Sequence, residues 1–246
     1  ELASLPDVTN FECFINGERF CLDESKVRNY KRFLDIAKTE REATSFIEKE
    51  AIAKGFVPFS KDGSYSAGDK VYYVNREKSV ILAVIGKEPI ENGVNLLAAH
   101  IDSPRLDLKQ NPLYEKNGFS LLDTHYYGGI KKYQWVTIPL AIYGVVCKKD
   151  GSVVNVAIGD EANDPIVGIS DLLIHLSADQ MQKPAAKVIE GEDLDVTLGN
   201  MPLEGEEKES VKARVLNILK EKYDFEEEDF LSAELEIVPA GPARDY

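Results

Sequence analysis

Val94-Asn95-Leu96-Leu97-Ala98-Ala99-His100-Ile101-Asp102-Ser103-Pro104 is the stretch on which the fold of this chain turns. A mostly apolar run delivers an imidazole and a carboxylate two positions apart, and a proline follows at once. Continuous apolar character over residues 93–99 predicts a buried strand, central in its sheet. Open α/β sheets bind ligands outside the carboxyl ends of their strands, so His100 and Asp102 stand where such a fold builds chemistry. Side chains two apart share one face of a strand, roughly 6.6 Å apart along it. A His–carboxylate pair suits a metal ligand whose other nitrogen is steadied by an oxygen. A hydrogen-bonded structural histidine fits the same three residues, and the tripeptide alone does not choose between them.

Working outward toward the N-terminus, residues 79–85 and 70–75 are rich in β-branched and aromatic side chains, and Asn75-Arg76-Glu77-Lys78 joins them as a hairpin turn. Residues 25–54 are helical by spacing, interrupted around Thr39-Glu40-Arg41-Glu42 and ended by Gly55. Val27, Tyr30, Phe33, Leu34, Ala37, Phe46, Ile47 and Ala51 form the inward stripe. Helices, a hairpin and a buried strand make residues 1–104 α/β material.

After Pro104 the texture changes. Leu106-Asp107-Leu108-Lys109 alternates as a half-buried strand should, and short strands follow at residues 119–122, 136–146 and 153–158. Lys149-Asp150-Gly151 is the turn between the last two. Helical periodicity returns near Ser170-Asp171-Leu172-Leu173-Ile174-His175-Leu176, then over residues 205–223, and residues 234–238 alternate as a final strand. Residues 105–235 are therefore a second, β-rich module inserted into or appended to the first, and residues 236–246 lead away from it.

The chain is long enough, at 246 residues, to bury a proper core in one or two domains. Its formal net charge of −14 argues against a nucleic-acid partner, which needs basic surface to displace counterions. The acidity concentrates in residues 186–236, where 16 acidic face 6 basic side chains, a solvated face in the ordinary reading. Cys13, Cys21 and Cys147 match neither a zinc ribbon nor a redox pair and read as reduced thiols, Cys147 as a core residue. No signal-like segment and no membrane-length apolar run is visible, so the expectation is a soluble, cytoplasmic protein with no membrane partner.

Several chemistries lack their signatures. There is no nucleophile elbow, no phosphate-binding glycine loop and no His-Glu-x-x-His. His125 reads as a polar strand residue beside a glycine bend, and His175, among leucines and isoleucine, as a satisfied buried histidine.

Ala99-His100-Ile101-Asp102-Ser103-Pro104-Arg105-Leu106-Asp107-Leu108-Lys109 resembles the His-x-Asp-Ser-Pro segment of the aspartyl aminopeptidases, dinuclear zinc exopeptidases. Three further stretches resemble that family in the same order: Asp123-Thr124-His125-Tyr126-Tyr127-Gly128-Gly129-Ile130, Ile174-His175-Leu176 and Glu236-Ile237-Val238-Pro239-Ala240. The resemblance implies an α/β sandwich catalytic domain, partial here in residues 1–104 and 236–246, interrupted by a β-rich dimerisation domain in residues 105–235. It assigns His100 as a zinc ligand and Asp102 as the carboxylate that orients it. It assigns His175 to a neighbouring subunit's active site.

The same resemblance implies two Zn2+ per site, a peptide substrate, and dimers assembling to a dodecamer. Lys131-Lys132-Tyr133-Gln134-Trp135-Val136 departs from the eukaryotic Trp-Phe-Asp-Arg segment and is closer to a bacterial branch, which leaves preference for acidic N-terminal residues open. The chain resembles the first half of the family's length, and the remaining ligands and the general base belong to the second half. The expectation is a zinc metallo-aminopeptidase, with the chain inactive alone. The alternatives are a non-catalytic assembly module and a metal-dependent amidohydrolase acting on small acyl substrates.

Overall fold

Residues 10–15 and 18–245 are described by a computed structural model of the chain. They fall into two units, Glu1–Ala99 with Pro242–Tyr246, and His100–Gly241. The architecture is mixed α/β.

The first unit opens with an antiparallel pair, β1 (Asn10–Ile15) and β2 (Glu18–Asp23). Helices α1 (Glu24–Ile36) and α2 (Glu40–Ala53) follow. They part where the sequence is interrupted, because Thr39 caps α2: its hydroxyl accepts from the Arg41 N–H at 3.3 Å, and Glu42 accepts from the Thr39 N–H at 2.8 Å. Gly55, at φ +83°, follows the end of α2. Then β3 (Val57–Pro58) pairs parallel to β4 (Lys70–Asn75), which pairs antiparallel to β5 (Ser79–Val84). Arg76 and Glu77 both take positive φ in the expected turn, which the Lys78 N–H closes on the Asn75 carbonyl oxygen at 3.1 Å before the ladder resumes at Asn75↔Ser79. The end of the chain returns to α1, where the Ala243 N–H donates to Asp35 at 2.5 Å.

Two expectations fail in this unit. Residues 93–99 form no strand; Leu96 is 82% and Leu97 98% exposed. A strand needs a neighbour for its N–H and C=O groups, and among the described residues none pairs with this run. The α1 stripe is not buried either: α1 has no buried residue and Tyr30 is 61% exposed. Phe33 meets Phe46 edge-on at 5.3 Å, but both line an open groove of about 350 Å³ with Ile47, Phe56 and Leu82.

The second unit is built on one antiparallel sheet. Its strands are β6 (Arg105–Lys116), β7 (Phe119–Tyr127), β8 (Leu140–Cys147), β9 (Val153–Ile158), β10 (Gly168–Ile169), β11 (Val196–Gly199) and β12 (Ala233–Pro239). They lie in the order β10-β11-β7-β6-β12-β8-β9. A short helix, α3 (Lys132–Trp135), with buried Trp135, precedes the stretch expected as strand 136–146, whose first residues turn before β8 begins at Leu140. Helix α4 (Ser210–Tyr223) buries Val211, Val215 and Leu219, as its spacing requires. Glu209 offers α4 no side-chain cap; instead Glu115 on β6 accepts from the Val211 and Lys212 N–H groups at 2.9 and 3.0 Å. A carboxylate there satisfies orphan donors and the helix dipole together. The core joins Leu106, Leu122, Ile142, Leu219, Phe225, Phe230 and Ile237.

Cys147 is exposed, which corrects its reading as a core residue. It ends β8 opposite Val153, itself 55% exposed, at the sheet's β9 edge. Cys13 and Cys21 have side chains outside the described residues. In the stretch 170–176 the only helical turn is Ile174–Leu176.

Candidate active site

Pairing between β6 and β7 brings the site residues of the second unit together. The ladder runs regularly from the Lys116↔Phe119 pair to Leu113↔Leu122, and then breaks: Leu108, not its neighbour, pairs with Thr124. Lys109, Gln110, Asn111 and Pro112 occupy β6 where only Asp123 stands on β7. This wide bulge is secured by side chains. Lys109 pairs with Asp123 at 2.7 Å, Tyr114 donates to Asp195, and Asp195 accepts from the Thr124 N–H at 3.3 Å. Burial raises Asp195 above the usual carboxylate range, against the opposing pull of Tyr114. Beyond the bulge Arg105 stands directly opposite Tyr127, so the end of β7 lies beside the segment entering β6. Gly128, at φ +78°, comes close enough that a Cβ there would touch Pro104 at 3.5 Å.

His100 and Asp102 meet in this approach segment, which is not a strand. The Nδ1 of His100 lies 3.0 Å from the Asp102 carbonyl oxygen and 3.3 Å from its Oδ1. Both neighbours are acceptors, so Nδ1 carries a hydrogen, and in the neutral ring the lone pair is then on Nε2. The imidazole is 84% exposed. The other carboxylate oxygen of Asp102, Oδ2, accepts from the Tyr127 hydroxyl at 2.9 Å. That hydrogen bond holds Asp102 below the usual carboxylate range, and His100 adds to the effect. The Arg105 guanidinium lies 4.2 Å from the centre of the Tyr127 ring. It is itself paired with Asp107 at 2.7 Å and with Glu236 at 3.3 Å.

His175 is placed otherwise. It sits on the turn Ile174–Leu176 and is exposed, not buried, which corrects its reading from local composition. Leu172, Leu173, Ile174 and Leu176 around it are 55–71% exposed. Among the described residues no hydrogen bond or ion pair joins His175 to His100 or Asp102. His125 lies on β7, exposed and stacked on Tyr126.

Chemically, an exposed histidine whose Nδ1 is committed to an oxygen has the arrangement of a metal ligand. Catalytic zinc takes several such protein ligands, and His100 with Asp102 fits one of those positions. Tyr127 and Arg105 were not singled out by sequence reading. Both lie inside stretches that were, but only the bulged register shows that they meet.

Residues 33–246 match the family model described as aminopeptidase I zinc metalloprotease (M18). The chain belongs to the M18 aminopeptidase family. A probable M18 family aminopeptidase 1 of Clostridium acetobutylicum is 55% identical over 240 residues, covering 96% of this chain and 50% of the relative. The crystal structure of an M18 aminopeptidase from Thermotoga maritima superposes with a TM-score of 0.85 at 44% identity, covering 91% of this chain and 49% of that one. Aminopeptidase I from Borrelia burgdorferi B31 gives 0.78 at 43% identity over 92% of this chain and 53% of its own. The S. cerevisiae mApe1 dodecamer, 17% identical with a TM-score of 0.62 over 87% of this chain and 48% of that one, shares the fold. The chain spans about half the length of the curated relatives it matches.

Proposed function

We propose that the full-length protein is a zinc-dependent aminopeptidase that removes N-terminal residues, acidic ones among them, from peptides at a two-zinc centre. One observation carries this reading beyond family membership: the Nδ1 of His100 is committed to Asp102 and the side chain is 84% exposed, which leaves Nε2 available as a ligand. Zinc, when bound, supplies a Lewis acid for the scissile carbonyl and acidifies a water. His100 would hold the metal through Nε2. Asp102 fixes the ring's tautomer and orientation. The remaining ligands and the general base belong to the half of the relatives' length that this chain does not span.

His175 serves a neighbouring subunit in this proposal, touching substrate there. Its exposure, ringed by exposed leucine and isoleucine side chains, supports a role at a contact between copies. Residues 105–235 are then the dimerisation domain, residues 1–104 and 236–246 belong to an α/β sandwich catalytic domain, and dimers assemble further, to a dodecamer.

The test uses full-length protein. Aminoacyl-anilides should be hydrolysed and N-acyl amino acids should not, which separates an aminopeptidase from an amidohydrolase. His100→Ala and His175→Ala should each abolish or sharply lower turnover, the latter with assembly intact. Mixing the two inactive variants should restore hydrolysis, because one site of a mixed dimer recovers both wild-type histidines. Failure to restore it in dimers shown to have exchanged subunits would sink the shared site. Residues 1–246 alone should show no hydrolysis; chelator-sensitive hydrolysis by them would overturn the division of the centre.

A further inference from the structure

We infer that Tyr127 is a positioning residue for the metal ligand His100, acting through Asp102; the inference rests on the ligand assignment proposed above. Asp102 divides its two carboxylate oxygens between two partners. Oδ1 faces the His100 Nδ1 at 3.3 Å, and Oδ2 accepts from the Tyr127 hydroxyl at 2.9 Å. A carboxylate held from one side only is free to rotate about its last torsion, whose preference is broad. The Tyr127 bond removes that freedom and so fixes where Oδ1 stands relative to the imidazole.

The phenol is fixed in turn. Arg105 packs against its ring at 4.2 Å, and Arg105 is only 10% exposed and tied to Asp107 and Glu236. A cation on an aromatic face contributes about 0.5–2 kcal/mol depending on desolvation. The row Arg105–Tyr127–Asp102–His100 thus leads from the buried Arg105–Glu236 ion pair to an exposed imidazole, each member set by the one before. Every link lies within the second unit. The bulge creates the row: continued without it, the register that pairs Leu113 with Leu122 would set Arg105 opposite Ile130.

Partners of a ligating histidine typically account for about 10–100-fold in metal affinity. Tyr127 stands one step further out, so a smaller effect is expected. The experiment is zinc affinity of the full-length protein, measured by competition with a chromogenic chelator, for wild type, Tyr127→Phe, Asp102→Ala and the double variant. Tyr127→Phe keeps the ring and its Arg105 contact and removes only the hydroxyl. It should weaken zinc binding about three- to tenfold, and it should have no further effect once Asp102 is alanine. Wild-type affinity in Tyr127→Phe, or an equal loss in the Asp102→Ala background, overturns the inference. His100→Ala separates the two levels. If it too binds zinc as wild type does, the ligand assignment has failed and the inference falls with it; if it loses zinc while Tyr127→Phe does not, only the inference fails.

Discussion

In the second unit Leu106, Leu122, Leu140 and Ile237 are exposed by 1% or less, while in the first unit Leu96 and Leu97 stand 82% and 98% exposed. Both sets are aliphatic side chains of the same size. Among the described residues the first unit buries only Ala43, Ala51, Val71 and Tyr72 as hydrophobics. Each fully buried aliphatic side chain contributes about 1.5–3 kcal/mol, so the second unit closes a core from its own residues and the first does not. The apolar character of a segment states what it needs; which other segment meets the need is a separate matter.

The sharpest way to break this contrast is at Gly144, in the middle of β8. A Cβ there would overlap the Glu234 carbonyl oxygen on β12, and both residues lie in the paired β8–β12 ladder. Gly144→Ala should therefore cost more than about 3 kcal/mol or prevent folding, read by denaturant unfolding of the 246-residue chain. A normal midpoint would mean that the β8–β12 ladder yields more easily than its packing implies.

A matched pair comes next. Leu122→Ala removes a side chain 1% exposed and should cost about 2–5 kcal/mol, whereas Leu97→Ala should change stability by no more than about 0.5 kcal/mol in the same chain. Equal losses would show that residues 94–99 are buried after all.

The acid limb of stability sharpens the second unit's side of the comparison. Burial works against ionised Asp164, but the Lys222 ammonium at 2.6 Å and the N–H groups of Gly159 and Glu161 outweigh it and lower its carboxyl below the usual 3.8. A lowered carboxyl stabilises the fold above its unfolded value and loses that contribution as pH falls through the folded one. Lys222 is raised by the same contact, so its contribution is full below 10.5 and fades as pH climbs past that value. Asp164→Asn should flatten both limbs in urea midpoints measured across pH. Unchanged limbs would remove this pair from the account.

The smallest effect is at Cys147. Exposed at the end of β8, it should react with a maleimide in the folded chain, located by peptide mass spectrometry, and Cys147→Ser should shift stability by about 0.5 kcal/mol or less. Protection of Cys147 from the reagent would mean that this edge of the sheet is covered.

Local pattern was enough for much of the second unit. Val153–Ile158 and Ser210–Tyr223 follow from alternation and helical spacing, and the β4–β5 hairpin of the first unit from its turn. His100 and Asp102 were legible as a pair because both lie within three residues. Tyr127 was not, since its role comes from a bulge whose stability depends on Asp195, more than seventy residues beyond the Thr124 N–H it satisfies. His175 was read as buried from neighbours that prove to be exposed themselves, because apolar composition does not distinguish a core from a contact surface.

By itself, then, the sequence determined the elements that local pattern marks, among them α2, the β4–β5 hairpin, β9 and α4, together with the acidic character of the chain and the His-x-Asp pair on which the chemistry is proposed. These depend on residues close together along the chain, where spacing and propensity act directly. Only the tertiary structure decided that residues 94–99 stand open, that Arg105 faces Tyr127, and that Tyr127 reaches Asp102. Those outcomes depend on strand register and on which distant groups satisfy the backbone at a bulge, and no local pattern carries either.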